Sequence, residues 1–198
     1  MVVVIAFLVP LAWLLGTFPS APIVARAKGR DVLAEGSGNP GASNVARLLG
    51  WRYGALVLVL DFAKGAIPTA AGLVIEGRAG AFILGGAAIL GHVYPLYRKG
   101  GKGVAAGAGM MVVLYPVIAV IFALVWVLVA RVLKKASLAS LLVVVACPFA
   151  VAIGPYETWE IVVVGAFAAL VVVRHAANIR RLLRREEMDI RSSGASAS

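Results

Sequence analysis

The sequence predicts an all-α integral membrane protein with seven transmembrane helices, and three observations carry this prediction. The chain has 198 residues, of which 62% are hydrophobic and 14% charged, and its mean hydropathy is +0.96. Soluble domains average about 45–50% apolar and about 25% charged residues, so a soluble enzyme is excluded. The apolar residues form runs, most of which suit one crossing of about 20 residues. The net charge of +10 then gives the orientation.

Charge and cysteine content exclude further classes of protein. The basic surplus is expected in cytoplasmic loops, where Lys and Arg are enriched in membrane proteins. A nucleic-acid-binding protein would need an exposed polar basic face, which this composition does not favour, so no nucleic-acid partner is expected. The single cysteine, Cys147, excludes an intrachain disulfide and a cysteine-based metal site. It lies in an apolar run, so inert packing is its expected role.

Six apolar runs define the predicted spans, and one of them is counted twice. The N-terminal run lacks a basic leader and a clear small-x-small cleavage site, so it is interpreted as a retained span. Linkers between the runs are short and no internal repeat is evident. These features predict one membrane domain over residues 1–185 and a polar, disordered tail over residues 186–198. The runs cover residues 2–18, 53–75, 80–97, 104–130, 138–153 and 161–173.

The run at 104–130 fits either one long helix or two short helices separated at Tyr115-Pro116, because proline removes a backbone donor and often begins a helix. Two passes put 17 of the 19 Lys and Arg residues on one side of the membrane. A single pass would move the basic C-terminal segment to the other side. The positive-inside rule therefore predicts seven spans, with the N-terminus outside and the C-terminus in the cytoplasm. Residues 104–114 cover only about half of a ~30 Å core, so they must tilt, pack inside the protein or leave Lys102 recessed.

The informative polar residues lie in four predicted cytoplasmic segments, which could converge on one site. The first, residues 35–44, concentrates turn-forming residues ahead of a helical pattern, and Asn44 or Ser43 is the expected N-cap. Glycines permit close approach of a ligand, and the amides at a helix start, together with Arg47, suit an anion. An ordinary capped loop explains the same pattern equally well.

The second segment places Lys102 among three glycines, at positions 100, 101 and 103. It superficially resembles a nucleotide-binding loop. However, Lys102 is followed by glycine rather than Ser or Thr, and the required glycine spacing is missing, so an NTPase is excluded. Lys102 is then either a topology-setting anchor or a phosphate ligand. His92, just upstream, fits a packing role better than a catalytic one.

The third and fourth segments carry polar pairs at helical spacing. Ser137 and Ser140 are three residues apart and share a helix face, where serines usually cap helices or bond between them. His175 and Asn178 have the same spacing at the cytoplasmic end of the last span. The arginines that follow them would attract anionic lipid, worth about 1 kcal/mol per charge near the surface.

Five segments, in order, resemble one family, the bacterial acyl-phosphate:glycerol-3-phosphate acyltransferases of the inner membrane. The likeness extends along essentially the whole chain. Departures are small: Ser43 stands where the family usually has threonine, Tyr94 where it usually has phenylalanine, and Arg185 where a glycine more often precedes the glutamate. The matching segments are residues 36–47, 61–65, 91–95 with 99–104, 137–140 and 175–183.

The resemblance implies transfer of a fatty acyl group from acyl phosphate to the sn-1 hydroxyl of glycerol 3-phosphate, the first step of phospholipid synthesis. The products are lysophosphatidic acid and phosphate. It implies seven membrane helices and no metal, nucleotide or coenzyme A. Acyl phosphate already has a good leaving group, so no covalent acyl-enzyme is needed and the task is positioning and charge stabilisation. Expected partners are both substrates, membrane lipid and the soluble enzyme that makes acyl phosphate.

The same resemblance assigns site residues by matching positions. Glycerol 3-phosphate and phosphate are expected to be bound by Ser37, Arg47, Lys102, His175 and Asn178. Of these, all but the arginine are also expected to be catalytic. Whether His175 transfers a proton or only hydrogen-bonds stays open, since a substrate phosphate oxygen could take the hydroxyl proton. The residues expected to bind or orient acyl phosphate are Asn39, Asn44 and Ser140, with Gly38 in the same loop.

Two other classes of function compete with the enzyme. A small transporter would place polar groups near the bilayer midplane and show a two-repeat pattern, but only Asp61 and Lys64 lie deep and no repeat is evident. That pair, three residues apart, is a functional candidate because intramembrane charges are costly, although a structural ion pair fits at least as well. A passive lipid-binding scaffold explains the arginine-rich C-terminal segment but not the glycine-rich loops.

Overall fold

The computed structural model describes residues 2–96 and 99–190, and within these ranges all regular structure is helical. This confirms the predicted all-α class. Contacts divide the chain into two units, one ending at Pro116 and one spanning Val117–Ile190. The described helices are α1 Val2–Thr17, α2 Ser20–Arg26, α3 Ala42–Leu49, α4 Trp51–Val93, α5 Val104–Leu114, α6 Pro116–Leu133, α7 Ala136–Ile153, α8 Thr158–Arg174 and α9 Ala176–Leu183.

The described helices include four segments long and apolar enough to cross a membrane. They are Val3–Arg26, Trp51–Val93, Pro116–Leu133 and Ala136–Ile153, and the pair α8–α9, bent by 59°, makes a fifth if it is one span. Large hydrophobic side chains cover their outer faces; Leu124, for example, is 67% exposed. Such side chains suit lipid contact. The count of seven spans and the orientation of the termini stay predictions.

Helix α4 is bent back on itself. Its 43 residues would extend about 65 Å if straight, roughly twice the thickness of the hydrocarbon core. The helical angles fail at Glu76 and Gly77, where Gly77 adopts φ 64°. A Cβ on Gly72 or on Gly80 would overlap the backbone of the other residue, so the two arms meet closely at this pair. The bend falls between the predicted spans 53–75 and 80–97; Tyr97 lies outside the described residues.

The predicted interruption at Tyr115-Pro116 is confirmed. Helix α5 ends at Leu114, Tyr115 has non-helical angles of φ −141° and ψ 62°, and α6 begins at Pro116. The 11 residues of α5 extend about 16 Å, so the helix alone cannot cross the core. It packs against the first arm of α4 inside its unit, which was one of the predicted alternatives.

Small residues allow this close packing of α4 and α5. A Cβ on Gly65 would overlap the Ala106 carbonyl, whereas Gly107, on the same helix as Ala106, has open space around it. We predict that Gly65→Ala lowers stability by about 1–3 kcal/mol, the usual cost of overpacking. Thermal unfolding of the purified protein measures the effect. Gly107→Ala is the control and should leave the melting temperature unchanged or slightly raised, because alanine favours helix. Equal melting temperatures for the two variants would contradict the packing.

Among the described residues of the first unit, two apolar clusters pack its helices against one another. One packs Ile5 and Ala12 of α1 against Leu84 and Ala87 in the second arm of α4. The other joins α2, α3 and the loop between them to the first arm of α4, through Ala21, Val24, Ala25, Val32, Val45 and Val57. The loop before α3 is therefore fixed at both ends.

The second unit is built on the pairing of α7 with α8, and α8 bends into α9 at His175. Beyond α9, the Ile190 backbone N–H donates to the Lys134 carbonyl at 2.8 Å and Glu187 is buried. Residues 186–190 of the predicted disordered tail therefore contact the start of α7. Residues 191–198 lie outside the described residues, and the domain boundary at 185 stays a prediction.

Candidate functional site

The glycine-rich segment before α3 is organised around the buried amide of Asn44. Its Oδ1 accepts a hydrogen bond from the Ser37 backbone N–H at 2.9 Å. Its Nδ2 donates to the carbonyls of Val32 and Glu35, each at 3.0 Å. Gly36 adopts φ 60°, and a Cβ there would overlap the same amide. Asn44 thus sets the conformation of the loop that carries the candidate ligands.

Helix α3 begins without the side-chain cap that the sequence predicts. Its N-cap is Gly41, and no side-chain hydrogen bond is made there. Ser43 and Asn44 lie inside the first turn, so the prediction that one of them is the N-cap is wrong. The physical reason is that the Asn44 amide turns back to the loop, where it bonds the Ser37 N–H instead of an amide of α3.

Polar contacts on the outside of the loop support the same conformation. Lys99 Nζ donates to the Gly38 carbonyl at 2.7 Å. Arg30 Nε donates to Glu35 at 2.5 Å, and the same carboxylate accepts from the Asp31 backbone N–H at 2.8 Å. The hydrogen bond from Arg30, with that from Asp31, lowers the pKa of Glu35. The loop is therefore prebuilt, with Ser37 and Asn39 half-buried.

The segment around Lys102 needs its glycines for backbone reasons. The Gly101 N–H donates to the His92 carbonyl at 3.0 Å, and a Cβ on Gly101 would overlap the His92 ring. A Cβ on Gly100 would overlap the carbonyl of the last residue of α4, and Gly103 has φ 88° just before α5. Close packing against α4 explains Gly100 and Gly101, and a positive φ explains Gly103, without a nucleotide-binding loop. Lys102 lies half-buried in this turn.

The first unit contains six of the nine predicted site residues. Contacts join Ser37 directly to Asn44, and Lys99 reaches Gly38. Arg47 is half-buried in α3, one turn after Asn44. The six are Ser37, Gly38, Asn39, Asn44, Arg47 and Lys102.

In the second unit a buried carboxylate, Glu187, gathers predicted site residues. Its Oε1 accepts hydrogen bonds from Ser137 Oγ and Asn178 Nδ2, each at 2.7 Å. Its Oε2 accepts from Arg181 Nε at 2.7 Å, and its backbone carbonyl accepts from Lys135. Asn178 is thus held in one orientation. Sequence reasoning assigned Glu187 to the tail and missed it; an acidic residue just beyond an arginine-rich helix was the available signal.

The environment of Glu187 lowers its pKa. Burial, the largest single effect, raises the pKa, but hydrogen bonds from Ser137, Asn178 and Arg181 and the charge of Arg181 together outweigh it. A carboxylate with a lowered folded-state pKa stabilises the fold fully above its ordinary pKa of about 4.3. That stabilisation is lost as the pH falls through the lowered value.

We therefore predict a pH-dependent stability difference for Glu187→Gln. Loss of charged hydrogen bonds should cost about 1.5–3 kcal/mol near pH 7. Thermal unfolding is measured from pH 7.5 to 3.5. The melting temperature of the variant should lie below that of the unmodified protein by a constant amount down to about pH 5, and this difference should narrow below about pH 4. Glu186→Gln is the matched control, because it removes the same charge at the exposed neighbouring residue. A difference in melting temperature that widens as the pH falls would contradict the stabilising role of the charged Glu187 side chain.

His175 lies buried at the bend between α8 and α9. Its Nδ1 is 2.8 Å from the Val171 carbonyl oxygen. Because a carbonyl only accepts hydrogen bonds, this contact requires the proton on Nδ1, so that Nε2 is the accepting atom of the neutral ring. Asn178 follows one turn later. The pair thus offers a hydrogen-bond acceptor and an oriented amide on adjacent turns.

Ser140 makes its hydrogen bonds inside the second unit. Its hydroxyl donates to the Ala136 carbonyl at 2.9 Å and accepts from Trp126 Nε1 at 3.0 Å. Its role as a substrate ligand stays a prediction. Among the described residues, no group of three His, Cys, Asp or Glu side chains is arranged to hold a metal ion.

Comparison with known proteins matches this chain over nearly its whole length. The sequence profile of the family described as glycerol-3-phosphate acyltransferase matches residues 6–185. The glycerol-3-phosphate acyltransferase of Aquifex aeolicus is 38% identical over 186 residues, covering 91% of this chain and 96% of the relative. That of Bacillus subtilis is 35% identical over 193 residues, covering 94% and 98%.

Solved structures share the fold. Two crystal structures of PlsY (YgiH), an integral membrane glycerol 3-phosphate acyltransferase, match with TM-scores of 0.89 and 0.86 at 36% and 37% identity. Each match covers 93% of this chain and 94% of the other. One structure is the glycerol 3-phosphate form and the other the lysophosphatidic acid form. These findings confirm the resemblance predicted from five ordered segments, and the chain belongs to the glycerol-3-phosphate acyltransferase family of integral membrane enzymes.

Proposed function

We propose that this enzyme takes its acyl group from acyl phosphate and transfers it to the sn-1 hydroxyl of glycerol 3-phosphate. Family membership supports the acceptor, and the two forms of the solved relative support the substrate and the product. The observation that carries the proposal is the prebuilt loop at residues 36–44, whose turn is fixed by Asn44. Such a loop before a helix suits a phosphate group, and Arg47 and Lys102 supply positive charge.

The proposed reaction is a direct displacement. The sn-1 oxygen attacks the carbonyl carbon of acyl phosphate, the bond from that carbon to the phosphate oxygen breaks, and phosphate leaves with the electron pair. The hydroxyl proton passes to a phosphate oxygen or to His175 Nε2. No covalent acyl-enzyme forms, because phosphate is already a good leaving group. Lys102 and Arg47 offset the negative charge of both substrates, and such preorganised groups are each worth about 10²–10³ in rate.

The second unit supplies the proposed orienting groups. The contact of His175 Nδ1 with the Val171 carbonyl supports Nε2 as the proposed hydrogen-bond acceptor for the attacking hydroxyl. Glu187 fixes the Asn178 amide, and this supports a role for Asn178 in holding glycerol 3-phosphate. Ordered partners of this kind reduce the motion of reacting groups before the chemical step.

We also propose the membrane arrangement. The enzyme is a multi-pass protein of the inner membrane with seven spans, N-terminus outside and active residues on the cytoplasmic side. The bend of α4 and the break before α6 support that count. In a Cys147→Ala background, Lys28→Cys should resist an impermeant maleimide in intact cells, whereas Ala79→Cys should react. Labelling of Lys28→Cys alone would overturn the orientation.

The donor is tested by supplying labelled glycerol 3-phosphate with palmitoyl phosphate, palmitoyl-coenzyme A or palmitoyl-carrier protein in turn. Only palmitoyl phosphate should give labelled lysophosphatidic acid, which in the cell implies supply by a soluble acyl-phosphate-producing enzyme. Comparable turnover with palmitoyl-coenzyme A would overturn the donor assignment. Incubation with labelled palmitoyl phosphate alone should leave no label on the denatured protein, and stoichiometric label would overturn the direct displacement.

A further inference from the structure

One cluster of four buried polar residues in the first unit has no part in the proposed reaction. Asp61 and Lys64 lie in the first arm of α4, His92 near the end of the second arm, and Ser20 at the start of α2. Each is at most 8% exposed. Because charges are costly in a membrane interior, a cluster of this kind is expected to carry a function or a specific structural role.

The carboxylate of Asp61 is the centre of this cluster. Its Oδ1 accepts hydrogen bonds from Ser20 Oγ and, at 2.5 Å, from Lys64 Nζ. Lys64 Nζ also donates to Ser20 Oγ at 2.9 Å. The same carboxylate oxygen lies 3.9 Å from His92 Nδ1. Three parts of the chain that are distant in sequence therefore meet at one paired charge.

The His92 ring lies between this cluster and the glycine segment. Its Nδ1 edge faces Asp61, whereas Gly101 packs so closely on the other edge that a Cβ there would overlap Nε2. The Gly101 N–H bonds to the His92 carbonyl as well. The same residues line a shallow cleft, together with Lys99 and Gly100. The ring thus connects a rigid ion pair to the backbone immediately before Lys102.

We propose that His92 is a positioning residue, held by the cluster of Ser20, Asp61 and Lys64, and that it fixes the segment 100–103 and so the location of Lys102. The inference rests on the proposed function, because that proposal assigns to Lys102 the binding of a substrate phosphate. A helix-locking ion pair alone would stabilise the unit and would have no selective effect on this segment or on glycerol 3-phosphate.

The test compares His92→Ala with Thr69→Val in the purified full-length protein. Thr69 is a suitable control because it is fully buried in the first arm of α4, the arm of Asp61 and Lys64, and donates to the Gly65 carbonyl, away from the glycine segment. Three quantities are measured: thermal stability, amide hydrogen exchange of residues 100–103 without substrate, and the kinetic constants for glycerol 3-phosphate.

We expect His92→Ala to speed exchange at residues 100–103 about tenfold and to raise the KM for glycerol 3-phosphate about tenfold. Thr69→Val should lower stability with neither effect. Unchanged exchange in His92→Ala overturns the positioning role whatever the kinetics. Faster exchange with an unchanged KM overturns the link to Lys102. Full activity of a Lys102→Ala enzyme would instead overturn the phosphate role of Lys102, and no acyl transfer by the unmodified enzyme would overturn the proposed function, so these failures are distinguishable.

A second pair of variants keeps the test decisive if His92→Ala does not fold. Gly101→Ala should disturb the segment by pressing a methyl group against the ring, and His92→Asn should relieve part of that overlap. The double variant should therefore bind glycerol 3-phosphate better than the product of the two single effects predicts. If the effect of the double variant on glycerol 3-phosphate binding equals the product of the two single effects, a direct contact between the His92 ring and Gly101 is not the source of positioning.

Discussion

Lys102→Ala is expected to lower acyl transfer from acyl phosphate to glycerol 3-phosphate by at least about 100-fold. Removing one preorganised charge-stabilising group typically costs 10²–10³ in rate, and both substrates carry phosphate. Lys102 is held between two glycines immediately ahead of α5, where the positive φ of Gly103 fixes the backbone. The measurement is formation of labelled lysophosphatidic acid in purified protein at saturating donor.

The matched control for that variant is Lys28→Ala. Lys28 is an exposed lysine of the same unit whose ammonium lies 5.1 Å from the centre of the Tyr53 ring. The Lys28→Ala substitution removes the same charge as Lys102→Ala. Its turnover should stay within about twofold of that of the unmodified enzyme, because an exposed cation–π contact contributes only about 0.5–1 kcal/mol to stability. Near-normal turnover by Lys102→Ala, or equal losses in both variants, would contradict the phosphate role.

Replacing His175 by alanine is expected to cost about 10²–10⁴ in kcat, the usual contribution of a positioned acid–base or hydrogen-bonding group. The contact of Nδ1 with the Val171 carbonyl oxygen requires the proton on Nδ1, so Nε2 is the atom to which we assign the role in the reaction. Single-turnover rates and the melting temperature should be measured together, since a buried histidine also contributes to packing.

Asparagine and glutamine at position 175 separate the two roles left open for this residue. Neither amide takes up a proton near neutral pH, but both hydrogen-bond. If His175→Asn or His175→Gln keeps most of the activity, hydrogen bonding is the role and a substrate phosphate oxygen takes the proton. If both fall to the level of His175→Ala with unchanged melting temperatures, proton transfer is the role. Full activity of His175→Ala would contradict either one.

Features governed by local rules could be predicted from the sequence. The break before Pro116 follows from a proline that cannot continue the donor pattern of α5. The bend of α4 falls where an apolar run is interrupted near Glu76 and Gly77, and a residue with positive φ is needed there. Helix α5 is only about half as long as the hydrocarbon core is thick, and this follows from the number of its residues. Each of these needs only neighbouring residues and the bilayer as input.

Features that depend on distant contacts could not be predicted in the same way. The amide of Asn44 favours a helix cap by local preference, but Val32, Glu35 and Ser37 compete for it successfully. Glu187 lies in a polar, charged stretch whose composition is typical of disorder, yet its buried carboxylate accepts a hydrogen bond from Ser137, 50 positions earlier. The chain positions that meet at Ser20 and Asp61 are likewise 41 residues apart. The i,i+3 spacing of Asp61 and Lys64 indicates their ion pair, but the contacts with residues distant in sequence are a tertiary property that no short pattern predicts.

Phosphate release tests the central claim most directly. Purified enzyme is mixed with palmitoyl phosphate, with and without glycerol 3-phosphate, and both phosphate and lysophosphatidic acid are followed. We expect release only when glycerol 3-phosphate is present, with one lysophosphatidic acid formed for each phosphate. Phosphate release without glycerol 3-phosphate at a comparable rate, or no release under either condition, would contradict it.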